Sequence, residues 1–152
     1  MCEFLGPAGW ETIFQLFLAL ILGGLIGLER EFVKREAGLR TFILVCLGAT
    51  LFTLVAFYSS KSLIEKPGVH FDPSRIIGQI VLGIGFLGAG LIIFREARIE
   101  GLTTAAALWI TAAIGAAIGA GFYFLATFTA LLTILTLIGF RIFEKKFLKT
   151  KE

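Results

Sequence analysis

The sequence predicts an all-α, polytopic membrane bundle of five transmembrane helices, with the N-terminus outside and the C-terminus in the cytoplasm. Three observations carry that prediction. The 152 residues are 57% hydrophobic, with a mean hydropathy of +0.92, more apolar surface than a water-soluble domain of this length can hide. The run IIGQIVLGIGFLGAGLIIF (76–94) and the longer run 101–140 contain no charged residue. A helix crosses the hydrocarbon core in about 20 residues, so the first run is one span and the second is two. Finally, lysine and arginine are unevenly shared between the connecting segments, as in membrane proteins of defined orientation.

The spans follow in order. Trp10 to Leu28 is the first and Thr41 to Ser59 the second. Ile76 to Phe94 is the third, Thr103 to about Ile118 the fourth, and Phe122 to Phe140 the fifth. Gly119-Ala120-Gly121 is the natural turn between the last two. Five spans put eleven of the fourteen basic residues on one side, among them Arg30, Lys34, Arg35, Arg40, Arg95, Arg98 and the five of the tail. Four spans would nearly erase the asymmetry. Residues 1–140 then form the transmembrane domain and 141–152 a basic cytoplasmic tail, suited to anionic lipid at about 1 kcal/mol per cation near the surface. The first apolar stretch has no basic flank and is expected to be retained as a span. Cys2 and Cys46 show no pairing logic and no metal-ligand spacing.

Small residues recur at helical spacing: Gly23 and Gly27, Gly85 and Ala89, Gly115 and Gly119. In lipid such patterns allow close backbone approach. The third span has two small faces, Gly78/Gly85/Ala89 and Gln79/Gly83/Gly90, which predicts a central position between two neighbours. Its glycines Gly83, Gly85, Gly88 and Gly90 serve packing, or they break the helix and expose backbone groups as transporters do. In the fourth span Thr104, Thr111 and Gly115 share a face. Threonine hydroxyls there back-bond to their own helix or line a polar seam with Thr103. Trp109 lies mid-span, so its indole N–H is expected to find a partner, such as a threonine on a neighbouring helix.

Charged residues gather at the first two helix ends. Glu29, Arg30 and Glu31 close the first span; Arg40 and Thr41 open the second. Glu29 at a helix C-terminus and Arg40 at an N-terminus each oppose the local dipole. One reading pairs them across the hairpin, where removing one partner costs ~3–5 kcal/mol. The other is a solvated loop with surface pairs Glu31–Arg35 and Glu36–Arg40. On the other side, Asp72-Pro73 has the form of an N-cap followed by proline at N1. Arg75 there has Asp72, a lipid phosphate or Gln79 as candidate partners. Asp72 with Glu65 and His70 makes at most a weak cation site.

Six stretches together are similar to one family: GGLIGLERE (23–31), AGLRT (37–41), LVCLGA (44–49), DPSRI (72–76), GQIVLGIGFLGAG (78–90) and GLTTAAALWITAAIGAAIGAGFY (101–123). The chain resembles the MgtC/SapB family of bacterial inner-membrane proteins. That resemblance implies a multi-pass inner-membrane protein without known enzymatic activity or cofactor, linked to magnesium limitation and in some pathogens to survival in host cells. Some members are thought to restrain the F-type ATP synthase; others carry a transporter label. The family's charged and polar positions carry over to Glu29, Arg30, Arg40, Asp72, Arg75, Gln79, Thr103, Thr104 and Trp109. The virulence-associated branch has a soluble C-terminal domain after the last span; RIFEKKFLKTKE resembles the shorter, SapB-like form.

Two functions compete. The first is a non-enzymatic, oligomeric bundle for magnesium or cation homeostasis that binds another membrane complex, with lipids and no nucleic acid as its other partners. The second is direct transport of Mg²⁺ or another small solute, gated by Glu29 and Arg40. No acidic residue lies within a span, which weighs against a dehydrated Mg²⁺ site. Enzymatic chemistry lacks a nucleophile and base.

Overall fold

The computed structural model describes residues 7–64, 72–95 and 98–147. Helix α1 (Pro7–Phe32) and helix α2 (Leu39–Ile64) form an antiparallel hairpin. Helix α3 (Pro73–Leu91) leads through strands β1 (Ile93–Arg95) and β2 (Arg98–Glu100) into α4 (Leu102–Gly119). Helix α5 (Tyr123–Leu135) passes through a π-helical turn (Thr136–Phe140) into α6 (Arg141–Phe147). Five stretches are long and apolar enough to span a bilayer: Gly9–Phe32, Leu39–Ser60, Ser74–Leu91, Leu102–Gly119 and Tyr123–Phe143. The expected turn after α4 is present, and Gly121 supplies its left-handed residue at φ 85°. Glu65 and His70 lie outside the described residues, as does the chain beyond Phe147.

Helix α4, with 56% of its span buried, is the most enclosed element, and α2 packs beside it between glycines of α1 and α4. A Cβ on Gly23 would lie 2.7 Å from Cys46 Cβ, and one on Gly27 2.8 Å from the Leu39 Cα. From the other side, a Cβ on Gly115 would meet the Cys46 carbonyl oxygen at 2.3 Å and one on Gly119 the Thr50 carbonyl oxygen at 2.7 Å. The two glycine pairs on α1 and α4 therefore set backbone-to-backbone contact. Phe42, Ile26, Leu108, Ile114 and Ile118 fill the core around them. The Thr50 hydroxyl lies 2.9 Å from both the Cys46 and the Gly115 carbonyl oxygens, bridging α2 to α4. Thr53 and Thr111 bond back to Ala49 and Ala107, so these hydroxyls are satisfied without water.

Helix α3 departs from the expected central place. It lies at the edge: 11% of its span is buried, against 56% for α4. Its helix is continuous, so the glycines do not break it. Added Cβ atoms on Gly83, Gly85 and Gly90 would meet nothing within 4 Å, and one on Gly88 would make an ordinary 3.7 Å contact with Ala105 Cβ. Small residues permit close approach without compelling it; α3 rests more loosely on α2 and α4. The helix also ends three residues earlier than the apolar run. Ile93, Phe94 and Arg95 pair antiparallel with Glu100, Ile99 and Arg98. Gly101, at φ 86°, makes the tight return into α4, since a Cβ there would lie 1.9 Å from the Leu91 carbonyl oxygen.

Candidate functional site

The α1–α2 loop, the β-hairpin and α6 share one end of the bundle, where the basic residues collect. Helix α1 runs to Phe32, a turn beyond the expected Leu28, and this carries Glu29 and Arg30 into the packed interior. Arg30 is 3% exposed and Glu29 8%. The Arg30 guanidinium pairs with Glu29 Oε2. Glu29 Oε1 is buried and has no hydrogen-bond partner among the described residues; Arg141 Nη1 lies 4.0 Å from it. Arg141 directly follows the π-helical turn, a distortion often found at functional positions. The three charges tie the end of α1 to the end of the fifth span.

Two further carboxylates, Glu31 in the last turn of α1 and Glu36 in the loop after it, serve two further helices. Glu31 Oε2 accepts the Leu39 N–H at 3.0 Å, satisfying one free donor at the start of α2. Gly38 is the residue that lets it in, because a Cβ would lie 1.7 Å from that oxygen. Glu36 Oε2 accepts the Thr104 hydroxyl at 2.9 Å, which places a carboxylate at the start of α4, where the helix dipole favours it. Three acidic residues within eight positions thus fasten the ends of α1, α2 and α4 and reach Arg141.

Arg40 takes no part in this cluster. The Glu29–Arg40 pairing is not formed, and neither are the Glu31–Arg35 and Glu36–Arg40 pairs: Glu29 has Arg30 beside it, Glu31 is committed to Leu39, and Glu36 to Thr104. Arg40 and Thr41 are exposed on the first turn of α2. Thr104 is buried and Thr103 exposed. Trp109 is 48% exposed and makes no hydrogen bond among the described residues. It borders a cavity of about 260 Å³ with Ile77, Val81 and Phe122, because its side of α4 turns away from the threonines. Gln79 lies beside Gly83 in a larger groove between α2 and α3.

At the opposite end, Asp72 caps α3 as expected, accepting the Ser74 N–H at 2.9 Å. Hydrogen bonds from Ser74, helped by nearby Arg75, hold its carboxyl below the usual range. The same end contains a cluster missed by sequence reasoning. Tyr123 donates to Glu11 at 2.8 Å, Thr12 and Tyr58 share a bond of 3.0 Å, and buried Gln15 donates to the Ile118 carbonyl oxygen at 3.0 Å. Gln15 gives a second donor to a carbonyl that also accepts the Gly121 N–H at 3.0 Å, at the end of α4. A lone amide within the first apolar run was the available signal. Arg141 is not among the expected site residues, and Glu36 is expected only as a surface partner of Arg40; nothing local in the sequence indicates the partners they have.

Among the described residues, no group of three His, Cys, Asp or Glu side chains comes together to hold a metal. The arrangement is a set of ionic and hydrogen-bonded fasteners at one end and hydrogen-bonded polar fasteners, Glu11 and Asp72 among them, at the other. The family model for MgtC matches residues 16–146.

The chain belongs to the MgtC family.

Among curated relatives of this MgtC-family chain, a protein of Escherichia coli K12, YhiD, provisionally named a magnesium transporter, is 44% identical over 142 residues. That match covers 90% of this chain and 66% of the relative. Protein SrpB of Synechococcus elongatus is 41% identical over 147 residues, covering 91% of this chain and 80% of SrpB. Protein MgtC of Brucella abortus is 48% identical over 103 residues, covering 68% of this chain and 40% of that protein. The chain thus spans just under two-thirds of YhiD. No solved structure matches.

The Glu36 contact makes a pH prediction. Its own backbone N–H, then Thr104 and nearby Arg35 and Arg30, outweigh desolvation and hold its carboxyl below the ordinary 4.5. A depressed carboxyl contributes stability above its unfolded pKa and loses it as pH falls through the folded value. Between pH 7 and pH 3, the native melting temperature in detergent is expected to drop more than that of Glu36→Gln. Parallel curves would show that the Thr104 contact does not depend on charge.

Proposed function

We propose that this multi-pass membrane protein serves magnesium homeostasis as a non-enzymatic accessory, and that it does so by binding and modulating another inner-membrane complex. The observation that carries the reading is the closed middle of the bundle. Among the described residues, the charged side chains are grouped at the two ends. Between them stand Ile26, Phe42, Leu108 and Ile114, all nearly or fully buried. The mid-bundle hydroxyls of Thr50, Thr53 and Thr111 are already bonded to carbonyl oxygens. A hydrated divalent cation needs several oxygen ligands along its way, and no carboxylate lines this interior between the ends. The positive-inside bias favours placing the basic end in the cytoplasm. The resemblance makes the F-type ATP synthase one candidate for the complex.

Direct transport is the second reading. The name given to the Escherichia coli relative favours it, and Glu29 with its unmatched oxygen would be its gate. The test is Mg²⁺ flux into proteoliposomes holding purified protein and a trapped indicator, with Glu29→Gln alongside. Flux no faster than in empty vesicles, together with a membrane complex that co-purifies with the native protein, is the expected result. Uptake that Glu29→Gln abolishes would overturn the accessory reading in favour of transport.

A further inference from the structure

We propose that the groove between α2 and α3 binds one acyl chain of an anionic phospholipid, whose headgroup is held by Arg40. The groove has a volume of about 610 Å³ and its walls include Thr41, Leu44, Gly48 and Phe52 on α2, with Gly83 and Leu87 on α3. Four features point to a lipid chain.

The first is length. From Thr41 to Phe52 the groove follows α2 for roughly 16 Å at the helical rise. One leaflet of the hydrocarbon core is about 15 Å deep. The second is lining. Apart from Thr41 and Gln79, every residue along the slot is apolar or glycine, as a hydrocarbon chain requires. Glycine makes the slot: a Cβ on Gly48 or on Gly83 would meet nothing within 4 Å. The third is charge. Arg40 precedes Thr41 at the basic end of the groove, is exposed, and makes no ion pair or hydrogen bond among the described residues. Arg40 is not itself a wall of the groove, but its long side chain starts one residue from the lining Thr41, and a free cation so near the basic end of an apolar slot matches a phosphate joined to an acyl chain. The fourth is the polar stop. Gln79 stands with Ile76 toward the other end of α3 and closes the apolar stretch with an amide.

The absence of a neighbour at the two glycines makes the site testable without unfolding the protein. Gly48→Leu and Gly83→Leu fill the slot from both walls and replace glycine by a better helix former. Purified protein in mild detergent is mixed with phosphatidylglycerol or phosphatidylcholine of matched chain length, and bound lipid is counted by native mass spectrometry. Circular dichroism melts establish that each variant is folded. The native protein is expected to retain one phosphatidylglycerol in preference to phosphatidylcholine. The doubly filled variant is expected to lose it. Arg40→Gln is expected to bind phosphatidylglycerol about five-fold more weakly, the worth of one cation at an anionic lipid surface, and to treat the two lipids alike. Equal retention of both lipids by the native protein would overturn the proposal. So would unchanged binding by the filled variant, or a filled variant whose one change is the loss of a dimer.

Discussion

Gly115→Ala is expected to destabilise the protein by about 3 kcal/mol, near the upper end of what overpacking costs, because the contact is with backbone. The added Cβ would lie 2.3 Å from the Cys46 carbonyl oxygen and 3.0 Å from Ala49 Cβ. Neither can swing aside as a long side chain can. Helices α2 and α4 must separate, and the hydrogen bond from Thr50 to the Gly115 carbonyl oxygen lengthens with them. Gly85→Ala is the control, since a Cβ there meets nothing within 4 Å. Alanine has the higher helix propensity, so that variant is expected to gain ~0.5–1 kcal/mol. Both are read by thermal or denaturant unfolding in one detergent. If the two alanines act alike, α2 is not clasped by α4.

Glu29→Ala is the second large effect. It leaves Arg30, 3% exposed, without its counter-ion. Removing one member of a buried pair costs ~3–5 kcal/mol. The companion change Arg30→Met, made in the same chain, is expected to restore most of the loss, because the uncompensated charge is then gone. Arg141→Gln alone should cost far less, since Arg141 is 43% exposed and stands 4.0 Å from Glu29 Oε1. A double-mutant cycle on unfolding free energies separates the two cations. Additive losses for Glu29→Ala and Arg30→Met would show that the pair makes no net contribution.

The contrast between these variants has a functional side. Glu29 and Glu31 at the end of α1 and Glu36 in the α1–α2 loop hold three helix ends in register, so a change at Glu29 alters the shape of that whole end of the bundle. An activity defect in Glu29→Ala therefore gains meaning beside Glu29→Ala/Arg30→Met. If the double variant regains stability and not function, Glu29 acts in its own right.

Much of the architecture was legible in one dimension. Span number and approximate limits follow from run length and charge. The α4–α5 turn follows from Gly119-Ala120-Gly121, and the α3 cap from Asp72-Pro73. The glycine pairs on α1 and α4 mark places of close approach in sequence and structure alike. The same reasoning failed on α3. Gly78, Gly85 and Ala89 have the right spacing, yet Gly78 and Gly85 have no neighbour within 4 Å of an added Cβ. Spacing shows which residues share a face and not what the face meets. The end of α3 was misplaced for a related reason. Ile92, Ile93 and Phe94 are as apolar as a span requires, but the pairing of Phe94 with Ile99 draws them into a hairpin.

By itself, then, the sequence determined the solvent, the helices and the family, because apolar length, helical period and local motifs act over a few residues at a time. Only the tertiary structure decided which helix is central, that Glu29 faces Arg30 and Arg141 while Arg40 stays free of it, and that Glu36 reaches Thr104 across 68 positions of chain. Those contacts depend on where each helix stops and how it is rotated against its neighbours. One further turn of α1 is enough to move Glu29 from a loop into the core, and helix ends are set by the whole bundle.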